Sequence, residues 1–586
     1  MELWFLLKPD MLHREREAFG KLEKEATWLR AIDWTLEDQK LCVNIAIVVS
    51  NVDYKAKLVY PEHFPDAPPT VLPIEPKRRW STHQYGETGS LCLEWGPDNW
   101  ISSVTGAQMV NSLYKLLSTE NPIDRDQNDQ DIIVAPSRHF LEIGQQMRGR
   151  YCRFLITEFL QEYLKHSVDA SLKEMKYSLN WLPDSLVVML HEVGIADDSP
   201  WSDASVPLNL NGRNDANDLK KGLFFLSPYF TGETLKTIGT FDKLSDVIIS
   251  AGFDEQNIKN ELNDLIENNK VAGICLAGNG NTIGFFLSFD GKKVYSFYSF
   301  FDTNFLLTGI SQDIASKKVA IIGLGSIGSK IADTLVRSGV KRFLLVDYDI
   351  FLPHNVNRHV LNWEDVGGHK TKTVKRLLEK LFKDIKVETN ELNLTGQESN
   401  LNVGACLTKI VQCDLIIDAT ANERVFNLLS SIVKREKKPF LWAGTFEGGK
   451  GGLIARYLPD KDPLPEIIRA AFNQFCIDNP FPESKTSLQY ATEDENGKIM
   501  VASDTDVSII AYNLARLGLD CLSQNYEYKY QVYLIGLGRW WVFNCPLEII
   551  PIDCSAWKSH KPAIKNGNQL SEDDKNFLQK LIEKNK

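Results

Sequence analysis

The stretch KKVAIIGLGSIGSKIADTLVRSG (317–339) decides the fold of the second half of this 586-residue chain. It passes from a buried-strand pattern, through a turn with three glycines, into a helical pattern. The following residues, KRFLLVDYD (341–349), predict a second strand, and DLIIDAT (414–420) and KPFLWAG (438–444) predict two more. Because strands alternate with helices, this half is expected to form a parallel, doubly wound α/β sheet.

The glycine turn carries the first functional signal. Gly323, Gly325 and Gly328 lie directly between the strand and the helix. They permit a tight turn whose backbone N–H groups approach a phosphate closely, and the helix N-terminus adds partial positive charge. Asp347 ends the next strand, 24 positions after Gly323, where it would hydrogen-bond a ribose hydroxyl. This pattern alone fits a dinucleotide and ATP equally well.

The polar residues after the second strand favour ATP. Asn355, Arg358 and Lys370 follow one another within IFLPHNVNRHVLNWEDVGGHKTKTVKRL (350–377). Fixed cations suit a triphosphate, whose charge rises as pyrophosphate leaves. A nicotinamide enzyme has no obvious need for them, although an NAD-dependent oxidoreductase stays open as an alternative.

The set GLGSIGSKIA, VDYD, HNVNRHVL and GHKTKTV resembles the adenylation domain of ubiquitin-activating, ThiF-like enzymes, over roughly residues 317–550. The resemblance implies a Rossmann-like domain in which the three glycines hold the phosphates of ATP. It also implies that Asp347 and Asp349 contact the ribose and the nucleotide. The triphosphate would be surrounded by Asn355, Arg358 and Lys370.

The same resemblance implies Mg²⁺, and here the chain departs from the family. The family often has Asp-Asn where this chain has Ala421-Asn422. Asp418, three positions before Ala421, is the nearest substitute ligand.

The composition of the chain argues against several other functional classes. The net charge is −11 with lysine and arginine spread along the chain, which argues against a nucleic-acid binder that relies on bulk positive charge. No apolar run approaches the length of a membrane span, and MELWFLL (1–7) is too short for a signal sequence. The ten cysteines are scattered and form no CxxC pair, which predicts a reduced, cytoplasmic protein without a four-cysteine zinc site.

One cysteine of the N-terminal region, Cys92, lies in a distinctive sequence context. After a helical pattern over 13–34 come strand patterns at 41–49 and 54–61, and a further helix is predicted over 105–118. The stretches FPDAPPTVLPIEP (64–76) and THQYGETGSLCLEWGPDNW (82–100) resemble ubiquitin-conjugating enzymes, over about residues 10–150. The matching residues are Pro65, Pro68, Pro69, His83, Gly89, Cys92 and Trp100.

This second resemblance implies that Cys92 carries an acyl group as a thioester. A carrier thiol must be exposed, able to ionise, and without metal or disulfide partners. The family's His-Pro-Asn triplet reads HQY (83–85) here, so the asparagine of the oxyanion environment is missing. Asn99 or a backbone amide are the substitutes considered. A buried core cysteine is the alternative to a carrier.

The intervening region, residues 161–310, contains no recognisable catalytic or binding motif. Its one clear structural signal is a predicted hairpin at Asp290-Gly291. We therefore expect an α/β and α+β multidomain chain, with a conjugating-like domain at 1–160, a linker domain at 161–310 and an adenylation domain at 311–586.

That order of domains resembles the bacterial fusion proteins of antiphage CBASS operons, the CD-NTase-associated protein 2 family. The resemblance implies that the C-terminus of a cGAS-like nucleotidyltransferase is adenylated, carried as a thioester and joined to a target amine. It also implies a homodimer through the adenylation domain, and neither nucleic acid nor membrane is expected as a partner. A ThiF-type sulfur-carrier adenylyltransferase is the other alternative.

The last candidate lies before the helical pattern in IMVASDTDVSIIAYNLARLGL (499–519), with Asp504 as the expected N-cap. Related proteins commonly read Cys-Ser-Asp where this chain reads Ala502-Ser503-Asp504. Ala502 thus marks the position of the expected activating cysteine. Either the chain activates without a thioester of its own, or Ala502 replaces a cysteine so that the reaction stops at the adenylate, and the second account is favoured. Cys545 and Cys554 are the next candidates.

Overall fold

The computed structural model describes residues 3–74, 79–85, 89–120, 142–166, 170–207, 219–256, 258, 260–262, 267, 271–280, 282–302, 312–482, 491–493, 499–559 and 575. Two compact units are present, Met1–Arg148 and Gly149–Lys586. Asn121 and Pro122, which follow the predicted helix at 105–118, lie outside the described residues.

The first unit is an antiparallel meander of four strands in the order β1-β2-β3-β4 with helices beside it. Its apolar core gathers Phe19 from one long helix and Val110 and Leu113 from another against the sheet. The helices are α1 (Trp4–Leu7), α2 (Pro9–Glu25), α3 (Gly106–Glu120) and α4 (Ile143–Gln146). The strands are β1 (Leu29–Glu37), β2 (Lys40–Val49), β3 (Val52–Val59) and β4 (Thr70–Pro73).

The two predicted strands and the helix of α3 are confirmed, but the helix predicted over 13–34 is wrong in its second half. It ends at Glu25, and β1 begins at Leu29. Trp34 pairs across the sheet with Val43 and its ring lies 5.2 Å from that of Phe19. Pairing with β2 satisfies the backbone groups of this segment, so tertiary context overrides the helical pattern.

The first part of the second unit is an eight-stranded sheet in the order β5-β12-β11-β10-β9-β6-β7-β8. The hairpin predicted at Asp290-Gly291 is confirmed, because β11 and β12 pair antiparallel on either side of it. The strands are β5 (Cys152–Ile156), β6 (Ser171–Leu182), β7 (Ser185–Val193), β8 (Trp201–Ser202), β9 (Lys220–Leu226), β10 (Ala272–Ala277), β11 (Ile283–Ser288) and β12 (Tyr295–Phe301). The helices are α5 (Glu158–His166), α6 (Gly232–Lys236) and α7 (Phe241–Ser250).

The second part is another eight-stranded sheet, in the order β15-β14-β13-β16-β17-β18-β21-β22. Its strands are β13 (Lys318–Ile322), β14 (Arg342–Val346), β15 (Lys386–Asn390), β16 (Leu415–Asp418), β17 (Phe440–Phe446), β18 (Gly451–Tyr457), β21 (Val532–Gly536) and β22 (Ile549–Ile552). A separate pair consists of β19 (Ala491–Glu493) and β20 (Ile499–Val501). The helices are α8 (Ser326–Arg337), α9 (Lys370–Leu381), α10 (Asn400–Val411), α11 (Glu423–Arg435), α12 (Pro465–Asp478) and α13 (Asp504–Leu522).

The predicted doubly wound α/β sheet is confirmed, with one correction. The strands from β15 to β17 are parallel, and α8, α9 and α13 cover one face while α10, α11 and α12 cover the other. The remaining strands, β18, β21 and β22, are antiparallel, so the sheet is mixed. Strand order reverses between β13 and β16, and ligands of such sheets bind at the carboxyl ends of the strands at this point.

Among the described residues, no helix has the length and apolar character needed to cross a membrane.

Candidate functional site

The glycine turn lies at the carboxyl end of β13, at the point where strand order reverses. Gly323 adopts φ +86°, a conformation that favours glycine. Gly325 is the N-cap of α8 and supplies no side-chain bond to the helix end. A Cβ on Gly328 would lie 1.9 Å from the carbonyl oxygen of Gly323, so this third glycine allows the helix to pack on the turn. The backbone therefore presents free helix N–H groups, as a phosphate site requires.

Asp347 lines the candidate nucleotide site and also hydrogen-bonds to the backbone of the glycine turn. Its Oδ2 accepts a hydrogen bond from Leu324 N at 2.6 Å, and its Oδ1 accepts one from Asp349 N at 2.7 Å. Burial raises the pKa of the Asp347 carboxyl, and the two backbone N–H groups oppose that rise. The residue expected to contact the ribose thus also orders the glycine turn.

A cavity of about 700 Å³ lies beyond the ends of these strands. It brings together five of the residues that the sequence singled out, namely Gly323, Gly325, Asp347, Asp349 and Lys370. The rest of its wall comes from Ile322, Val346, Tyr348 and two segments, 392–395 and 419–425, of which the sequence analysis named only Ala421 and Asn422. Both segments follow a parallel strand directly, and the rule that ligands bind at carboxyl strand ends was the signal that would have found them.

Beside Arg424, Lys370 is the second cation that lines this cavity. It is the first residue of α9, and its Nζ donates to Asp349 Oδ2 at 2.8 Å. The Lys370 side chain is only 8% exposed, whereas that of Asp349 is 52% exposed. A buried ammonium with a single exposed carboxylate partner keeps enough positive character to attract a phosphate.

Asn355 and Arg358 are not among the residues that line the cavity. Both belong to a short 3-10 helix, Pro353–Arg358, in which Asn355 Oδ1 accepts the backbone N–H of Leu352 at 2.9 Å. Arg358 is half-buried and makes no ion pair with a described residue. Their roles toward a triphosphate therefore stay predictions.

His359, a residue that the sequence analysis did not select, makes a buried contact with the backbone of the glycine turn. Its Nε2 lies 2.8 Å from the carbonyl oxygen of Leu324, and its Nδ1 accepts the backbone N–H of Leu361 at 3.2 Å. Burial lowers the pKa of His359 to about 4. The neutral ring with hydrogen on Nε2 satisfies both contacts.

Asp418, the predicted Mg²⁺ ligand, ends β16 and is buried. Its Oδ1 accepts two hydrogen bonds from Thr420, from the backbone N at 2.9 Å and from Oγ1 at 2.6 Å. Burial raises the pKa of Asp418 to about 6. Mg²⁺ bound with a nucleotide usually needs only one or two carboxylates. Among the described residues no cluster of three metal-binding side chains is present, and those of Asp347 and Asp418 already accept hydrogen bonds. These residues alone do not complete a Mg²⁺ site, so an ion here would take most of its ligands from phosphate oxygens and water, with Asp418 as the one protein carboxylate.

A second cavity, of about 720 Å³, adjoins the first. The two share the wall residues Ala421, Asn422 and Glu423. Asp418 lines this second cavity and not the first. Its remaining wall is largely aromatic and includes Phe426, Trp442, Phe446, Phe472, Phe481 and Trp540. We call it the aromatic groove.

Arg469, from α12, also lines the aromatic groove. Its Nη2 lies 3.3 Å from Glu423 Oε1, and its guanidinium lies 4.8 Å from the ring centre of Phe426. A cation therefore stands beside the shared wall of the two cavities.

Ala502 lies two residues before the start of α13 and is 3% exposed. A Cβ placed on Gly449 would lie 3.0 Å from the Ala502 Cβ, so the two backbones are in close contact. The expected N-cap is wrong by one residue, because the Ser503 side chain accepts the backbone N–H of Asp506 and caps the helix. Of the ten cysteines, all within the described residues, Cys545 is the exposed one and Cys554 is buried.

Cys92 lies in the first unit and is half-buried. Its backbone N donates to the carbonyl oxygen of His83 at 2.7 Å, and Tyr85 Oη lies 3.9 Å from its Sγ. Burial raises the pKa of Cys92, the Tyr85 hydroxyl lowers it, and the charge of Asp98 raises it. No disulfide involves this thiol. The half-buried thiol differs from the buried cysteines of the cores.

The turn before Cys92 is tied to the end of α3. Glu120 is buried, and it accepts hydrogen bonds from Ser81 Oγ and from Thr82 N, the latter at 3.0 Å. His83 Nε2 lies 3.8 Å from Glu120 Oε1. Beyond the cysteine, Trp100 Nε1 donates to the carbonyl oxygen of Pro65 at 2.7 Å.

The chain is similar to known proteins over both parts of the second unit. Residues 301–535 match the ThiF family, and residues 173–303 match a domain observed between E2 and E1 domains. The ATP-dependent ubiquitin transferase-like protein Cap2 of Escherichia coli (strain TW11681) is 31% identical over 246 residues, 39% of this chain and 39% of its own. Cap2 of Enterobacter hormaechei subsp. hoffmannii (strain UCI 50) is 30% identical over 131 residues, 22% of this chain and 21% of its own. Ubiquitin-like modifier-activating enzyme 5 of Drosophila ananassae is 30% identical over 137 residues, 20% of this chain and 35% of its own.

The chain therefore contains a ThiF domain preceded by the domain found between E2 and E1 domains. The resemblance to Cap2-type fusion proteins is confirmed. The matches span between 21% and 39% of the length of the two Cap2 relatives.

Proposed function

We propose that this chain adenylates the C-terminal carboxylate of a partner protein with ATP and transfers the acyl group, as a thioester on Cys92, to an amine of a target. The observation that carries the adenylation step is the junction of two cavities at Ala421–Glu423. One cavity has the glycine turn, Asp347 and Lys370, and the other has room and apolar lining for an extended peptide. Adenylation requires a nucleotide and a carboxylate to meet at such a junction.

The nucleotide half of the proposal rests on charge and backbone geometry. The N-terminus of α8 and the Nζ of Lys370 would hold the triphosphate, and Asp347 would face the ribose. Arg358 would add a second cation when the triphosphate is present. Mg²⁺, when bound with ATP, would neutralise part of the phosphate charge, and Asp418 is its proposed protein ligand.

The peptide half rests on the aromatic groove. A C-terminal tail in the groove would place its carboxylate near Arg469 and the shared wall. A carboxylate oxygen then attacks the α-phosphorus of ATP, an O–P bond forms, and pyrophosphate leaves. The acyl-adenylate is a better electrophile than the carboxylate, since AMP is a good leaving group for a thiol.

The thioester step needs a thiolate. The sulfur attacks the acyl carbon, a C–S bond forms, and AMP leaves with the electron pair of the broken C–O bond. In this way a first carrier thiol takes the acyl group from the adenylate. Cys92 then attacks the carbonyl carbon of that thioester, a new C–S bond forms, and the first carrier leaves as a thiolate. Because the pKa of Cys92 is raised, its thiol must lose a proton to solvent or a base before it attacks.

The position of the first carrier thiol has two candidates. Ala502 marks the position expected from related proteins, but a thiol there would be buried against Gly449 unless the loop moves. Cys545 is exposed and follows Trp540, which lines the aromatic groove, by five positions. Ala502→Cys and Cys545→Ser separate these positions. A reducible adduct that forms with Cys92→Ala and disappears with Cys545→Ser supports Cys545, whereas an adduct that requires Ala502→Cys supports Ala502.

The partner, by resemblance to the Cap2 relatives, is a cGAS-like nucleotidyltransferase, and the conjugation would prime antiphage CBASS defence. A homodimer through the ThiF domain and a cytoplasmic location remain part of the proposal. The first unit is proposed to be the conjugating domain, because its lone half-buried cysteine lies in the frame that resembles ubiquitin-conjugating enzymes.

ATP–pyrophosphate exchange tests the adenylation step. The full chain is mixed with a cGAS-like nucleotidyltransferase, and labelled pyrophosphate entering ATP is counted. Lys370→Ala is expected to lower exchange about 100-fold, because a fixed cation at a developing charge contributes on this order. Lys372→Ala is the matched control, since this lysine is on the same helix, is 62% exposed and does not line the cavity. Equal exchange by the two variants contradicts the assignment.

One variant and one assay separate the proposal from its alternatives. Cys92→Ala should leave exchange intact and abolish conjugates, whereas a sulfur-carrier adenylyltransferase would keep all of its activity. Hydride transfer to NAD without exchange would favour the oxidoreductase.

A further inference from the structure

Tyr85 is the side chain that faces the thiol of Cys92. Its Oη lies 3.9 Å from the Cys92 Sγ, within hydrogen-bonding reach of sulfur. Tyr85 is also the third residue of the triplet HQY, and the asparagine of ubiquitin-conjugating enzymes stands at this place. The structure therefore brings a hydroxyl, instead of an amide, to the acyl-carrying atom.

The backbone holds this pair in place. Tyr85 N donates to the carbonyl oxygen of Ser90 at 2.9 Å, and Cys92 N donates to that of His83 at 2.7 Å. Gln84 and Leu91, the residues between these two bonds, pair as an antiparallel bridge. Both side chains thus project from the same face of one short antiparallel ladder, which places their Cα atoms close together.

Asn99, the substitute considered from the sequence, is engaged elsewhere. Its Oδ1 accepts the backbone N–H of Gly96 at 2.7 Å, and its Nδ2 donates to the carbonyl oxygen of Glu94 at 2.8 Å. Both ends of the amide therefore close the turn over 94–99. Among the described residues, Tyr85 is the side chain with a hydrogen-bonding atom at the Cys92 sulfur.

We propose that Tyr85 is a catalytic residue that donates its phenolic hydrogen bond to the oxyanion formed when an amine attacks the thioester on Cys92. This role rests on the proposed function of Cys92. The amine nitrogen forms a bond to the acyl carbon, and the carbonyl becomes a C–O⁻ that accepts the hydrogen bond from Tyr85 Oη. The C–S bond then breaks, Cys92 leaves as a thiolate, and the nitrogen loses its extra proton to solvent.

The phenol suits this task because it stays protonated. A tyrosine hydroxyl is neutral at physiological pH. The side chain is 60% exposed, so water competes for the same hydrogen bond. Removing a donor from an enclosed oxyanion hole costs about 100- to 1,000-fold in rate. At this exposed site we expect a smaller loss, about 10- to 100-fold.

The experiment places an acyl group on Cys92 chemically, without ATP or a partner protein, so a failure of adenylation does not affect the result. The full chain with Cys545→Ser is acylated by the 2-mercaptoethanesulfonate thioester of acetylglycine. Discharge to free lysine is then followed by intact mass, with Cys92→Ala identifying the acylated residue. Tyr85→Phe should charge normally and discharge about 10- to 100-fold more slowly at saturating lysine. Tyr85→Asn should restore most of the rate, because an amide supplies the same hydrogen bond.

Three results would overturn the proposal. The first is a normal rate of acyl discharge in Tyr85→Phe. The second is an Asn99→Ala variant whose discharge rate falls as much as that of Tyr85→Phe. The third is a Tyr85→Phe variant that is slow only in accepting the acyl group, which indicates a structural role. Failure of Cys92 to accept the acyl group overturns the carrier role itself, together with this inference.

Discussion

The Nε2 of His359 lies 2.8 Å from the carbonyl oxygen of Leu324, the residue between the first two glycines of the turn. The backbone N of Leu324 in turn donates to Asp347. The N–H and the C=O of Leu324, which belong to the two successive peptide units around its Cα, are therefore each hydrogen-bonded to a side chain of a neighbouring element. This arrangement orders the backbone N–H groups before a nucleotide arrives.

His359→Asn should weaken ATP binding by about two- to tenfold, because one buried hydrogen bond to the turn is changed. It should also alter the pH dependence of stability. The pKa of about 4 in the folded chain lies below the ordinary value of 6.5. The contribution of His359 is therefore full above pH 6.5 and is lost as the pH falls through 4, up to about 3 kcal/mol. Calorimetric melting from pH 4 to pH 8 measures this, and identical slopes for both proteins contradict it.

Asp418→Asn should change stability with the opposite sign. The folded pKa of about 6 lies above the ordinary 3.8, so the contribution of Asp418 is present below 3.8 and lost as the pH rises through 6. The asparagine variant should therefore gain up to about 3 kcal/mol on the wild type at pH 7. Melting temperatures at pH 5 and pH 8 test this, and a variant that loses stability at pH 8 refutes it. Loss of pyrophosphate exchange in the same variant would support a role with Mg²⁺.

Asp504→Ala should lower the free energy of unfolding by about 1–3 kcal/mol. Lys330 Nζ donates to Asp504 Oδ1 at 2.6 Å, and the lysine side chain is only 6% exposed. The variant leaves this ammonium buried without its carboxylate, while Lys330→Met in addition should recover part of the loss. Asp333→Ala, which removes an i,i+4 pair with the more exposed Arg337, is the control and should cost less. Equal shifts in melting temperature for the two aspartates would count against this account.

Asp98→Asn should make Cys92 more reactive. The Asp98 charge is one of the causes that raise the pKa of Cys92, after burial. Without it, alkylation by iodoacetamide at pH 7.5 should be about two- to threefold faster, because more thiolate is present. Because salt screens exposed charges, the difference in alkylation rate between the variant and the wild type should shrink in 0.5 M NaCl, where the ionic strength is well above about 0.1 M. A rate unaffected by the substitution at low salt would falsify the electrostatic explanation.

Local pattern predicted much of the fold, because it reflects interactions between residues near in sequence. Strand β13, the glycine turn and helix α8 follow directly from apolar spacing and glycine positions. The wrong helix over 29–34 shows the limit of this method, since Trp34 is drawn into the sheet by pairing with Val43. The antiparallel strands β18, β21 and β22 were likewise not distinguished, because strand direction depends on partners far along the chain.

The sequence by itself was enough to select the glycine turn, Asp347, Lys370 and Cys92 as candidate site residues, because each of these stands in a short motif with its own physical signature. Only the tertiary structure decided that Lys370 lines the cavity and Arg358 does not, and that Asp418 faces the aromatic groove. It alone placed His359 under Leu324 and Tyr85 beside Cys92. The physical reason is that these contacts depend on side-chain direction at the meeting of several elements, which residue order does not encode locally.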